Sequence, residues 1–184
     1  MKNVLIIGCG LLGSSLVRRI SKKKIAEKIF VYEKSKSNIA KIKKLRLPGI
    51  IVKSLKEGVV NSDFIIICTP MNEYQKLILK INSFISPKTL ITDLGSSKIE
   101  SSKIINKFLK KGIHWIRSHP ITGSEVSGPE HGKDNMFEDK WCVLIKDKKT
   151  NIKHLNFFKS FWKKVGSKTV IMNSEKHDKI FSIT

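Results

Sequence analysis

Val4-Leu5-Ile6-Ile7 runs directly into Gly8-Cys9-Gly10-Leu11-Leu12-Gly13. Four consecutive apolar residues suit a strand buried on both faces, as in a parallel sheet covered by helices. Leu12, Leu16 and Ile20 then recur at helical spacing. The glycines form G-x-G-x-x-G, a weak pattern alone and an informative one where it ends a strand and opens a helix. In that setting Gly8 permits the tight turn and Gly10 lets the backbone approach a pyrophosphate resting on free amides at the helix start. Gly13 lets the helix pack closely on the strand. Gly8, Gly10, Leu11, Leu12 and Gly13 are therefore candidate contacts to a dinucleotide; the competing reading is an ordinary glycine-rich turn.

The same rhythm continues outward. Ile29-Phe30-Val31-Tyr32, Phe64-Ile65-Ile66-Ile67-Cys68 and Thr89-Leu90-Ile91-Thr92 read as strands, with Ile50-Ile51-Val52 a weaker one. Helices are expected over Glu73 to Phe84 and Ser97 to Lys111, the second ending at Gly112. Further strands are expected at Trp141 to Ile145 and Lys168 to Met172, with a helix from about Asn151 to Val165 between them and a last helix capped by Ser174. Alternation of this kind predicts an α/β, doubly wound, mostly parallel sheet of the Rossmann type. The expected division is a dinucleotide-binding domain over 1–172 and the start of a second, helical domain over 173–184.

In such a sheet ligands lie beyond the carboxyl ends of the strands. Glu33 stands there, twenty residues after Gly13. A carboxylate at that point hydrogen-bonds the ribose hydroxyls of NAD and repels the 2′-phosphate of NADP. Lys34, Ser35 and Lys36 follow and soften that exclusion, so NADP stays open, as does a solvated surface role for Glu33. Thr69 and Pro70 close the next strong strand as cofactor contacts, or Pro70 simply terminates it. Asp93-Leu94-Gly95-Ser96-Ser97-Lys98 and Ser118-His119-Pro120 end two more strands. The polar, Gly-rich run from His119 to Asn135 is long for a connection, and long loops tend to be functional.

Composition bounds the rest. The 184 residues carry 36 Lys+Arg against 15 Asp+Glu, a net charge of +21. The lysines are spread along the whole chain among many Ile and Asn, which suits a general compositional bias and solvated faces better than a nucleic-acid surface. Cys9, Cys68 and Cys142 lie in or beside apolar runs with no C-x-x-C and no Cys/His cluster, so no metal site is expected. Scattered thiols suit a reducing compartment. With a strand starting near Met1 and no membrane-length apolar run, a cytoplasmic protein that binds neither membrane nor nucleic acid is expected.

Four segments carry a family resemblance: Gly8 to Leu16 (GCGLLGSSL), Asp93 to Lys98 (DLGSSK), His119 to Pro129 (HPITGSEVSGP) and Glu175 to Asp178 (EKHD). In order and spacing the chain closely resembles the prephenate/arogenate dehydrogenase family of tyrosine biosynthesis. The resemblance implies oxidative decarboxylation of a cyclohexadienol with hydride transfer to NAD, driven by aromatisation. It implies that His119 draws off the ring hydroxyl proton, a task suited to a neutral imidazole. It further implies that Ser96 helps hold His119 and that hydroxyl, and that Glu125 lies at the mouth of the substrate pocket. Lys98 either approaches a substrate carboxylate or, as a lysine opening a helix, stays solvated. His114, His131, His154 and His177 receive no chemistry. Members usually continue into a helical domain that dimerises and adds substrate contacts, so the full-length protein is expected to be a homodimer through it, and this chain alone is expected to bind NAD and turn over poorly. The alternatives are a β-hydroxyacid-type dehydrogenase, which lacks the HPITGSE segment, and a non-catalytic dinucleotide-binding module.

Overall fold

Strand β1 (Asn3–Ile7) is buried on both faces, and its alternate side chains divide the core in two. The computed structural model describes residues 3–123 and 125–181. Ser124, within the HPITGSE segment, and residues 182–184, where the last helix was expected to run on, lie outside them. Val4 and Ile6 face α1 (Leu11–Lys22) and α6 (Ile152–Val165), among Leu16, Ile20, Phe158 and Trp162. Leu5 and Ile7 face α3 (Leu55–Val60) and α4 (Tyr74–Ile81), among Val59, Leu77 and Ile78. A strand covered on both sides has no solvated face, which is why its sequence is continuously apolar.

The remaining elements are β2 (Lys28–Tyr32), α2 (Lys36–Lys44), β3 (Ile50–Ile51), β4 (Phe64–Ile67), β5 (Leu90–Asp93), α5 (Lys98–Phe108), β6 (His114–Pro120), β7 (Trp141–Ile145), β8 (Lys168–Met172) and α7 (Ser174–Phe181). They build one eight-stranded sheet in the order β3-β2-β1-β4-β5-β6-β7-β8. Every neighbouring pair is parallel except β6 and β7, which are antiparallel. The chain leaves β1 toward β2 and β3, then returns to place β4 on its other side, so the crossover direction reverses at β1/β4 and opens a crevice beyond their carboxyl ends. The expected doubly wound, mostly parallel sheet is present.

Three expectations are corrected locally. The stretch expected to be helical from Glu73 opens with a 3₁₀ turn over Met71–Glu73, and α4 begins at Tyr74. The cap of α7 is Asn173, whose Oδ1 accepts the Lys176 amide at 2.8 Å; Ser174 is inside the helix, with its amide and hydroxyl both on Asp147. The long segment after β6 is also less open than its composition suggests. Its far half lies across α1: Arg18 donates to the Pro129 carbonyl, the Lys133 amide donates to Ser15 Oγ, and Arg19 pairs with Glu138. No helix among the described residues is long and apolar enough to cross a membrane.

Candidate functional site

At the end of β1 the chain turns through Gly8, whose φ of +87° lies where L side chains are strained. The Gly8 amide donates to the Tyr32 carbonyl at 2.9 Å and ties the turn to β2. A Cβ on Gly13 would stand 2.0 Å from the Gly8 carbonyl oxygen, so only glycine allows α1 to begin this close to the strand. A Cβ on Gly10 would meet nothing within 4 Å, so its side of the turn opens outward. No side chain caps the start of α1 and its first turn holds no acid. The amides at Leu11, Leu12 and Gly13 thus form a helix N-terminus of the kind that receives an anionic group.

Glu33 lies beside this turn. Its Oε2 accepts the Cys9 amide and its Oε1 the Ser35 amide, both at 2.8 Å. These bonds hold the carboxylate at the edge of the crevice, one residue beyond β2. Lys34 is drawn away to Glu73 at 2.8 Å. Thr69 follows β4 on the other side, its methyl 3.0 Å from where a Gly8 Cβ would be. The Thr69 hydroxyl is buried with no hydrogen-bond partner among the described residues. Pro70 is exposed. The thiols are chemically quiet: burial, with Glu33 nearby, pushes Cys9 up to about 12, and burial raises Cys68 and Cys142 as well.

Further along the same sheet edge, His119 is the penultimate residue of β6. Between the glycine turn after β1 and His119 lie β4 and β5, three strand spacings or roughly 14 Å. His119 shares with Ser96, Ser97, Ile121, Thr122, Asp178 and Phe181 the wall of a cleft of about 510 Å³. Ser96 is exposed on it. Glu125 is exposed on the loop and does not contribute to that wall.

The His119 ring is held from behind by α7. Its Nδ1 is 2.8 Å from His177 Nε2, and His177 Nδ1 is 2.7 Å from Asp178 Oδ1. Phe181 packs against both rings. Asp178 in turn accepts the amides of Lys98 and Ile99, each at 2.8 Å, and the Ser97 hydroxyl, so it caps α5 from another helix. Withdrawal from water, with Lys98 and His177 close by, lowers the His119 pKa to about 4; burial lowers His177 too, against the pull of Asp178. His119 is therefore neutral at pH 7, able to accept a proton.

Lys98 departs from both sequence expectations. It neither reaches the cleft nor meets solvent: its side chain is 0% exposed, with Nζ 2.9 Å from Asp93 Oδ2 and 2.7 Å from the Ser118 carbonyl. Asp93 also accepts from Tyr74, Trp115 Nε1 and the Gly95 amide. The pair holds the ends of β5 and β6 together directly beneath His119. His177 and Asp178, left without a role by the sequence reading, are in contact with the site; the only signal for them was the EKHD segment. The His154 ring meets that of His114 edge-on, centroids 4.5 Å apart, with Nδ1 buried and unpartnered among the described residues. No group of three His, Cys, Asp or Glu among the described residues could hold a metal ion.

A doubly wound sheet, a glycine turn feeding an uncapped helix start and an acid at the end of β2 define a dinucleotide-binding domain, here with a neutral histidine on the same edge. Residues 16–171 match the family model described as "Prephenate dehydrogenase, nucleotide-binding domain", and the chain belongs to that family. It is 26% identical, over 100% of its length and 62% of the relative's, to a cyclohexadienyl dehydrogenase of Zymomonas mobilis. It is 30% identical, over 98% of its length and 49% of the relative's, to a prephenate dehydrogenase of Lactococcus lactis. Among solved structures, prephenate dehydrogenase from Aquifex aeolicus superposes with a TM-score of 0.90 at 30% identity, covering 100% of this chain and 66% of that one. The same enzyme in complex with hydroxyphenyl propionate and NAD+ superposes with a TM-score of 0.85. The chain spans about half to two thirds of these relatives.

Proposed function

We propose that this chain supplies the cofactor cradle and the proton-accepting histidine of an NAD-dependent dehydrogenase acting on prephenate or arogenate in tyrosine biosynthesis. The observation that carries the reading is His119: a neutral, part-buried imidazole in a cleft on the sheet edge that also bears the glycine turn. Bound NAD would supply the hydride acceptor for a substrate whose ring becomes aromatic as carbon dioxide leaves. The chain's own residues bind, orient and accept a proton. The α1 amides over Leu11, Leu12 and Gly13 receive the pyrophosphate. Glu33 faces the ribose, and Thr69 offers its unpartnered hydroxyl where the cofactor crosses β4. His119 accepts the substrate hydroxyl proton, and Ser96 bonds in the same region.

Glu33 and the diversion of Lys34 to Glu73 favour NAD over NADP. Glu125 stands outside the cleft wall and is assigned to its approach. The Aquifex aeolicus complex with NAD+ supports the cofactor. The relatives' remaining length is where a second domain, dimer contacts and further substrate contacts would reside. A cytoplasmic setting fits a biosynthetic enzyme with three free thiols.

The test is an assay of the full-length protein with both substrates and both cofactors, followed by His119→Asn. The variant should keep its NAD affinity and lose about 10²- to 10⁴-fold in kcat. Unchanged turnover would remove His119 from the chemistry.

A further inference from the structure

We infer that His177 is a positioning residue for His119, and that with Asp178 it determines which ring nitrogen of His119 is bare. Donor and acceptor parity along three side chains fixes the tautomer of each ring. An ionised carboxylate only accepts. Asp178 accepts two backbone amides and the Ser97 hydroxyl at the start of α5, and those amides help keep it ionised. Its Oδ1 also lies 2.7 Å from His177 Nδ1, so that nitrogen carries the proton. A neutral imidazole has a single N–H, so His177 Nε2 is bare and accepts. The atom 2.8 Å from it is His119 Nδ1, which must be the donor. His119 is left with a bare Nε2, the nitrogen not engaged by α7 and the one that can take a proton from the cleft.

His177 is 0% exposed and both of its nitrogens are used in this chain. The charged groups facing the two rings are Lys98 and Asp93 from below and Asp178 from α7. Lys98 opposes a second positive charge on His119, while Asp178, reached through His177, favours it. Without His177 the His119 ring has no acceptor behind it, and its proton is free to move to Nε2, where it blocks the base. A bare second nitrogen fixed by a hydrogen bond on the first is how an enzymatic imidazole is kept in the competent tautomer.

The kinetic arm of the test rests on the dehydrogenase reading; the spectroscopic arm does not. Long-range ¹H–¹⁵N spectra of the imidazoles in this 184-residue chain should show His119 protonated on Nδ1 at pH 7. In His177→Phe, which keeps a ring against Phe181, a mixed or Nε2–H population should appear; His177→Gln, whose carbonyl can accept from Nδ1–H, should restore the original form. In the full-length protein His177→Phe should lower kcat about tenfold or more with KM little changed, and His177→Gln should recover much of it. An Nε2–H tautomer in the wild type, a tautomer indifferent to His177→Phe, or equal kinetic losses in both variants would overturn the inference. If the full-length protein oxidises neither substrate while His177→Phe still moves the His119 proton, the reaction assignment fails and the positioning stands.

Discussion

Lys98 is the residue whose environment differs most from its appearance in the sequence. Its ammonium is enclosed, and its pairing with Asp93 and the Ser118 carbonyl offsets a desolvation cost that would otherwise expel it. Burial lowers its pKa, opposed by Asp93. Lys98→Met should destabilise the fold by about 3–5 kcal/mol, because it leaves Asp93 charged and enclosed, whereas Lys98→Met with Asp93→Asn should recover much of that loss. Urea midpoints of the two variants decide it.

His119, whose pKa burial also lowers, gives a pH signature of its own. An unfolded imidazole takes up a proton near pH 6.5, the folded one only at about 4. Between those values protons favour the unfolded chain, so this contribution is intact above pH 6.5 and is lost as the pH falls toward 4. His177 acts in the same direction. Denaturation at pH 7.5 and pH 5 should show a drop that is smaller in His119→Asn; an identical drop would mean that His119 is not held neutral.

The place of His119 at a strand end was legible in the sequence, and its role was implied by the resemblance that the HPITGSE segment carries. The partners of Lys98 and His119 were not legible. Lys98 and Asp93 are five residues apart across a loop, where nothing in the pattern marks enclosure. His119 and His177 are separated by 58 positions that only the tertiary fold brings together.

At the level of elements, the glycine turn was readable since strand, turn and helix are contiguous and each constrains the next. Gly13→Ala tests it directly. The added methyl would collide with the Gly8 carbonyl, which is backbone and cannot swing aside. We expect lower stability and a loss of NAD binding larger than the stability loss alone produces, measured by calorimetry on folded protein. The reversal of direction between β6 and β7 was not readable, because an apolar strand buried on both faces has the same sequence pattern whichever way it runs. Nor was the fate of residues 129–140. Their charges suggest a solvated loop, yet Gly132 sits so close to α1 that a Cβ there would overlap Ser14 Oγ. The charges meet partners on α1 and α2 instead, Lys22 with Asp134 and Lys41 with Glu130.

Across the whole molecule, the glycine turn, Glu33, Thr69 and His119 lie on one sheet edge, so the cofactor should stabilise the chain as a unit. At 100 times its Kd, NAD should contribute about 2.7 kcal/mol, or roughly 5–10 °C in Tm for a domain of this size. Glu33→Ala should shrink that shift and narrow the gap between NAD and NADP; no shift at millimolar NAD would mean that the cradle is not formed. The net charge of +21 is spread over the surface and adds a salt-dependent attraction for an anionic cofactor and substrate.

The capping of α5 by Asp178 has one more consequence. The carboxylate that orients His177 also holds the amide hydrogens of Lys98 and Ile99. Deuterium uptake at those two amides therefore reports, from outside the cleft, whether the proton acceptor inside it is in place, and any motion that lifts α7 would expose both at the same rate.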